Sequence, residues 1–191
     1  MALLNLAILG SGNGSLLPPV HNAIISGVLQ ANISMVISNK PQSGILQKAR
    51  DLNLIHFALP GKGLSRRKYD EKLHEQLNMY QTDLVLLLGF MRILSADFVN
   101  KWENKILNIH PSLLPKHAGL MDLAVHSSVI ESKDKTSGCT VHYVTSQVDS
   151  GKTILQKSCE VTATDTALSL RRKVQALEKK AIVAAISGFC V

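Results

Sequence analysis

Cysteine, aromatic side chains and long apolar runs are all scarce in this sequence, and each scarcity removes a class of protein. The three cysteines, Cys139, Cys159 and Cys190, are odd in number and widely spaced. They make neither a disulfide framework nor a thiolate metal cluster, and they fit free thiols in a reducing cytosol. Aromatic residues are only 4% of the chain, so platforms for stacking bases are few. The formal charge of +7 is scattered in pairs such as Arg66-Arg67 and Arg171-Arg172. It reads as a solvated surface, which leaves small anionic substrates open, and no nucleic-acid partner is expected. No apolar run approaches the ~18 residues of a membrane span. The longest, LVLLLGFM, suits a buried strand, so no membrane partner is expected. The opening MALLNLAILG lacks the basic start and small-residue cleavage site of a secretory signal and reads as a first strand. A cytoplasmic location follows as the expectation.

What is present is ample material for a packed core. Hydrophobic residues are 46% and charged residues 18% of the 191, which suits one folded domain and argues against disorder. Strand-like runs (NLAILG, SMVISN, LIHFALP, LVLLLGF, ILNIHP) alternate with helix candidates at about 19–31, 45–52 and 66–80. In the third, Tyr69, Leu73, Leu77 and Tyr80 share one face, with Ser65 as the N-cap. This alternation predicts βαβ units and an α/β fold with a doubly wound, mostly parallel sheet. After Gly138 the pattern changes. GCTVHYVT and KTILQKSCEV flank SQVDSGK and predict an antiparallel strand addition. The segment from Asp165 to Phe189 predicts one long C-terminal helix, capped by Asp165 or Thr164. No repeat, low-complexity tract or linker interrupts the chain.

Three stretches stand out chemically. In ILNIHPSLLPKHAG (residues 106–119), Asn108 and His110 lie two positions apart, which puts both side chains on one face of a strand as it leaves the sheet. Open α/β sheets keep their ligands at such strand ends. GSGNGS (residues 10–15) follows the first strand directly. Its glycines permit close backbone approach to an anion, although it is neither G-x-G-x-x-G nor a Walker loop, and a plain tight turn explains it equally well. Asp149 in QVDSG sits in a turn, where aspartate is usually only a turn former. His142 alternates along its strand and is balanced between packing and function. His21, His56, His74, His117 and His126 have no recognisable partner and read as structural.

SGNGS, FMRILS, ILNIHPSLLPKHAG, GCTVHYV and VDSG, in this order and spacing, resemble the phosphoribosylglycinamide formyltransferases, folate-dependent members of the formyltransferase family. The resemblance covers nearly the whole chain, and NIHPSLLP is a long string of low degeneracy. It implies a Rossmann-like formyltransferase fold in a single domain (1–191), with a phosphate-substrate lobe at about 1–95 and a catalytic and folate lobe at about 96–191. It also implies formyl transfer from 10-formyltetrahydrofolate to the amino group of 5-phosphoribosylglycinamide in purine biosynthesis. By position, Asn108, His110 and Asp149 match the family's catalytic trio. Gly14, Ser15, the backbone of Leu16, and Glu178 match the binding site of the phosphorylated amine. Arg66, Leu87, Met91, Arg92, Ile93 and Leu94, together with Asn108, match the folate site. The cosubstrate is 10-formyltetrahydrofolate, the partners are small molecules, no metal is implied, and a monomer or weak homodimer is expected.

The chemistry suits that trio. An α-amino group has a pKa of about 8, so part of it is already nucleophilic near neutrality. Two needs remain: stabilising charge on the formyl oxygen of the tetrahedral intermediate, and a proton for the departing nitrogen. An amide donor meets the first, and an imidazole beside a carboxylate meets the second. Other folate formyl chemistry is the alternative: a 10-formyltetrahydrofolate hydrolase, or a folate- or nucleotide-binding relative with weak turnover. The chain departs from the family pattern in places. Pro18 and Pro19 predict a delayed helix start after the glycine loop, and Lys152, where the family commonly has proline, predicts a looser turn after Asp149. EKKAIVAA (residues 178–185) alters the surroundings of Glu178.

Overall fold

The structure, a computed structural model, describes residues 3–190. Short apolar runs become strands buried on both faces when helices cover the two sides of a sheet. Four such strands, β1 (Leu4–Leu9), β2 (Ala31–Ser38), β4 (Leu84–Leu87) and β5 (Ile106–His110), run parallel, and the partly exposed β3 (His56–Ala58) joins them in parallel at the edge. β6 (Thr136–Tyr143) and β7 (Thr153–Glu160) add to β5 in antiparallel fashion. The seven-stranded order is β3-β2-β1-β4-β5-β6-β7.

Helices α1 (Leu17–Ile25), α2 (Gly44–Asp51), α5 (Asp122–Glu131) and α6 (Ala167–Ser187) cover one face, and α3 (Arg66–Met79) and α4 (Ala96–Lys101) cover the other. The two-residue period of β1 shows why both faces are needed. Leu6 and Ile8 join a cluster with Leu17, Val20, Leu170 and Ile182, while Ala7 and Leu9 join Tyr69, Leu73, Leu77 and Phe98 on the opposite side. All four β1 residues are fully buried. Burying a side chain the size of Leu or Ile contributes roughly 1.5–3 kcal/mol, so this strand anchors both layers.

The helix ends differ from expectation at three points. α1 begins at Leu17, ahead of the two prolines, so its start is not delayed. Pro18 and Pro19 occupy the first turn, where an N–H has no partner within the helix anyway. It stops at Ile25 rather than 31, and Gly27 follows in the left-handed region at φ +75°. α6 is capped by Thr166, not by Asp165 or Thr164, through a reciprocal box in which Thr166 and Ser169 each accept the other's main-chain N–H. The Asp165 carboxylate instead accepts from Ser169 and Lys173. α3 starts where its pattern placed it, with the Ser65 hydroxyl accepting from Lys68 N–H.

Strand order reverses between β1 and β4, which makes a crevice outside their carboxyl ends. The loop after β1 (residues 10–16), the loop after β4 (88–95) and the end of β5 all open onto that edge.

Candidate functional site

Backbone pairing sets the first two residues. Asn108 on β5 stands opposite His142 on β6 and beside Leu87 on β4. His142 Nδ1–H donates to the Tyr143 carbonyl at 2.8 Å, which leaves Nε2 as an acceptor. Asn108 Nδ2–H donates to that nitrogen at 3.1 Å. The pair fixes the amide: reversing it would set a carbonyl oxygen against the imidazole lone pair. One N–H of Asn108 remains free to donate elsewhere. His142, evenly balanced on sequence grounds, is therefore the residue that orients Asn108.

His110 is 4% exposed. Its Nδ1 lies 3.2 Å from Asp149 Oδ2, and its Nε2 lies 3.1 Å from the His117 carbonyl oxygen. Burial is the largest influence on His110 and pushes its pKa below the ordinary imidazole value. The Asp149 carboxylate and the His117 carbonyl pull the other way without overcoming it. A carboxylate does stand beside the ring as expected, yet the resting ring is neutral at pH 7. Whichever nitrogen carries the proton, an acceptor receives it, and a second proton finds its acceptor in place.

Asp149 comes from the loop between β6 and β7, with its backbone in the left-handed region at φ +53°. A non-glycine residue there costs about 1–2 kcal/mol, so other contacts must hold it. Thr145 and Ser150 hydroxyls both reach the Gln147 carbonyl and each other. Lys152 does not loosen the turn: its carbonyl accepts from Tyr143 N–H at 3.0 Å, and Gly151 packs so closely on the Tyr143 carbonyl that no Cβ would fit. Asp149 Oδ2 also accepts from Gly119 N–H at 2.8 Å. Its burial raises the pKa, but His142, Gly119 N–H and His110 together leave it below the usual carboxylate value. The group is a carboxylate at neutral pH, buried beside the histidines rather than an exposed turn former. Asn108, His110 and Asp149 therefore meet, with His142 Nε2 also 3.6 Å from Asp149 Oδ1.

The remaining residues fall into three places. At the loop after β1, Gly14 has φ +69°, and an added Cβ would lie 2.6 Å from Ile45 Cβ, so only glycine fits. Ser15 is half-buried and Leu16 buried, and Leu17 N–H turns back to the Gly14 carbonyl at 3.1 Å. Among the described residues no main-chain carbonyl receives the N–H groups of Ser15 or Leu16. At the loop after β4, Met91 and Ile93 are exposed, while Leu87 and Leu94 are buried beneath them in the core. The Arg92 guanidinium lies 3.9 Å from the centre of the Tyr69 ring and against Gly61, so its side chain is committed to the protein. The buried Ser11 joins these two loops: its hydroxyl accepts from Met91 N–H at 2.8 Å and donates to Asn39 at 2.6 Å. Arg66 stands apart, exposed at the first position of α3.

Glu178 on α6 is 9% exposed. Burial pushes its pKa up to about 7, and the Arg171 cation only partly offsets this. A cavity of about 310 Å³ between α3 and α4, lined by Arg67, Asp70, His74, Ser95 and Lys101 among others, shares no residue with the cluster. Among the described residues no group of three His, Cys, Asp or Glu side chains could hold a metal ion, and no helix is long and apolar enough to cross a membrane.

A family model described as formyl transferase matches residues 4–186. The chain belongs to the formyl transferase family. Phosphoribosylglycinamide formyltransferase of Escherichia coli (strain K12) is 37% identical over 187 residues, which cover 97% of this chain and 87% of that protein. The solved phosphoribosylglycinamide formyltransferase of Coxiella burnetii has a TM-score of 0.93 at 33% identity, covering 98% of this chain and 87% of that one. The trifunctional purine biosynthetic protein adenosine-3 of Gallus gallus is 39% identical over 94% of this chain, which spans only 18% of that longer protein. The resemblance seen in the motifs thus extends over residues 4–186.

Proposed function

We propose that this formyl transferase moves the formyl group of 10-formyltetrahydrofolate to the amino group of 5-phosphoribosylglycinamide. The observation that carries the reading is the meeting of Asn108, His110 and Asp149 where β5 leaves the sheet, beside the loops that follow β1 and β4. The donor, when bound, supplies the formyl carbon; the chain supplies orientation and proton handling.

The free N–H of Asn108 donates to the formyl oxygen as negative charge develops there. A fixed donor of this kind lowers the barrier by ~3 kcal/mol. Neutral His110 accepts the proton that the attacking amine releases and delivers it to the departing folate nitrogen. One C–N bond forms, one breaks, and no net proton is gained or lost. Asp149 stabilises the transient imidazolium at Nδ1, and Nε2, which faces the His117 carbonyl at rest, turns from it to take up and deliver the proton of the substrates.

The phosphate is held by the Ser15 and Leu16 N–H groups at the Gly14 turn, and the ribose hydroxyls by Glu178. The exposed Met91 and Ile93 side chains and the main chain around Arg92 suit the flat apolar ring of a folate. The exposed cation of Arg66 suits its glutamate tail. The test is loss of formyl from 10-formyltetrahydrofolate, with and without phosphoribosylglycinamide. Amine-dependent loss with equimolar formylated product is expected. Loss at the same rate without the amine would make the protein a hydrolase.

A further inference from the structure

We propose that His117 is a positioning residue for His110: its ring, gripped by Ser128 and Asp134, holds the main-chain carbonyl that receives the His110 Nε2 proton. The inference deepens the function proposed above and rests on it only for its kinetic readout.

His117 lies in the loop between β5 and α5, where no regular hydrogen-bond ladder fixes the direction of a carbonyl. Its φ of +59° is in the left-handed region, a conformation that persists in a non-glycine residue only when the surroundings enforce it. The ring provides the enforcement. Nδ1 lies 2.9 Å from Ser128 Oγ on α5, and Nε2 lies 2.9 Å from Asp134 Oδ2 just after that helix. Nε2–H donates to the carboxylate, and Nδ1 shares the second hydrogen bond with the serine hydroxyl. The other oxygen of the same carboxylate takes Lys116 Nζ at 2.7 Å. Two consecutive residues therefore hold the two oxygens of one acid, and the loop is registered against α5 through their side chains.

The rest of the loop is secured independently of this ring. Leu114 N–H donates to Thr140 Oγ1, Gln156 donates to the Leu114 carbonyl, and the Ser112 hydroxyl donates to the Lys116 carbonyl. Loss of the His117 ring therefore leaves the loop in place but frees the 117 peptide to turn. His110 would then lose the acceptor for its Nε2 proton while keeping Asp149 at Nδ1. The groups that bear on the His110 charge are Asp149, His142, His117 and, from α5, His126. The variants below remove two of these influences without displacing a member of the cluster: the carbonyl bond, which raises the His110 pKa, and the weaker charge effect of the His117 ring, which lowers it, so the net shift expected is downward.

His117→Gly keeps the carbonyl and tolerates the left-handed backbone, but it has no ring. His117→Gln offers one donor and one acceptor at a similar spacing and is the conservative rescue. In the full chain, His117→Gly should lower kcat by ~10- to 100-fold with both KM values within about twofold, and His117→Gln should recover most of the loss. The His110 imidazole, followed by nitrogen-15 NMR of the protein without substrates, should titrate at lower pH in His117→Gly than in the wild type. A wild-type kcat with an unchanged His110 titration in His117→Gly would overturn the proposal. So would a proportional rise in both KM values, which would mark a loop-wide disturbance. If the wild-type protein transfers no formyl group, the functional reading fails, and the His110 titration alone decides the role of His117.

Discussion

Replacing Glu178 with glutamine should make the protein more stable at pH 8 and change little at pH 5. The carboxyl is 9% exposed, and its pKa is raised to about 7 from an ordinary value of 4.5. The folded state thus holds the proton more tightly than the unfolded chain. The stability linked to that proton is complete below the unfolded pKa and is lost as pH rises through the folded one, between about pH 4.5 and 7. At 1.36 kcal/mol per pKa unit, the 2.5-unit difference is worth ~3 kcal/mol. Above pH 7 the wild type carries that penalty as a buried carboxylate, whereas a neutral glutamine does not. For a domain of this size, each kcal/mol moves Tm by ~2–4 °C, so the variant should melt ~6–12 °C higher at pH 8. Urea denaturation followed by circular dichroism at pH 5 and pH 8 measures the difference directly. An equal shift at both pH values, or destabilisation at both, would refute the reasoning. Under the role proposed for Glu178 in holding the ribose hydroxyls, the same substitution should also weaken binding of the phosphorylated amine.

Replacing His110 with alanine should lower kcat by ~10²–10⁴-fold while leaving donor affinity nearly unchanged; equal loss of affinity and rate in steady-state kinetics would contradict the role assigned. Because both a neutral amine (pKa about 8) and neutral His110 are needed, log kcat/KM should fall with slope one below pH ~8 and slope two below the lowered His110 pKa. Asp149→Asn should lower kcat and move that second break to still lower pH, since the carboxylate raises the His110 pKa; a break that moves up would mean the carboxylate does not act on this ring. Ser15→Asp should raise KM for the phosphorylated amine at least ~10-fold through charge repulsion and spare the donor KM, and an unchanged amine KM would remove the phosphate assignment. Ser11→Ala leaves Met91 N–H unpaired and should raise the donor KM ~10-fold; the double variant with Asn39→Ala should add little, as a cycle would show.

Much of the architecture was legible because periodicity reports burial. Two-sided apolar runs marked β1, β2, β4 and β5, and the spacing of Tyr69, Leu73 and Leu77 gave α3 nearly to the residue. The change of pattern after Gly138 marked the antiparallel pair. The six-residue α4 and the weakly amphipathic α5 were not legible: neither carries a clear apolar stripe, and α5 buries His126 between Val125 and Val129. Caps were uncertain by a residue or two, as with Thr166, because several cap-forming residues stand side by side there.

The trio was legible through its motif, but its supports were not. Asn108 and His110 announce themselves by their spacing on β5, whereas Asp149 is an ordinary turn residue until the 145–150 loop folds it onto the histidines. His142 could be found only by pairing β5 with β6 in register, which puts it opposite Asn108. His117 gave no periodic signal, because its carbonyl, not its position in a pattern, is what touches His110. The proline pair misled because proline breaks a helix only in its interior, and here the two residues fill the first turn, where no N–H is needed.

The most direct test of the central claim is a crystal structure with phosphoribosylglycinamide and a non-transferable formyl-folate analogue both bound. The account places the analogue's formyl oxygen ~2.7–3.1 Å from Asn108 Nδ2, with the glycinamide nitrogen within hydrogen-bond reach of His110. A formyl group seated away from β5, with Asn108 still bonded only to His142, would contradict it.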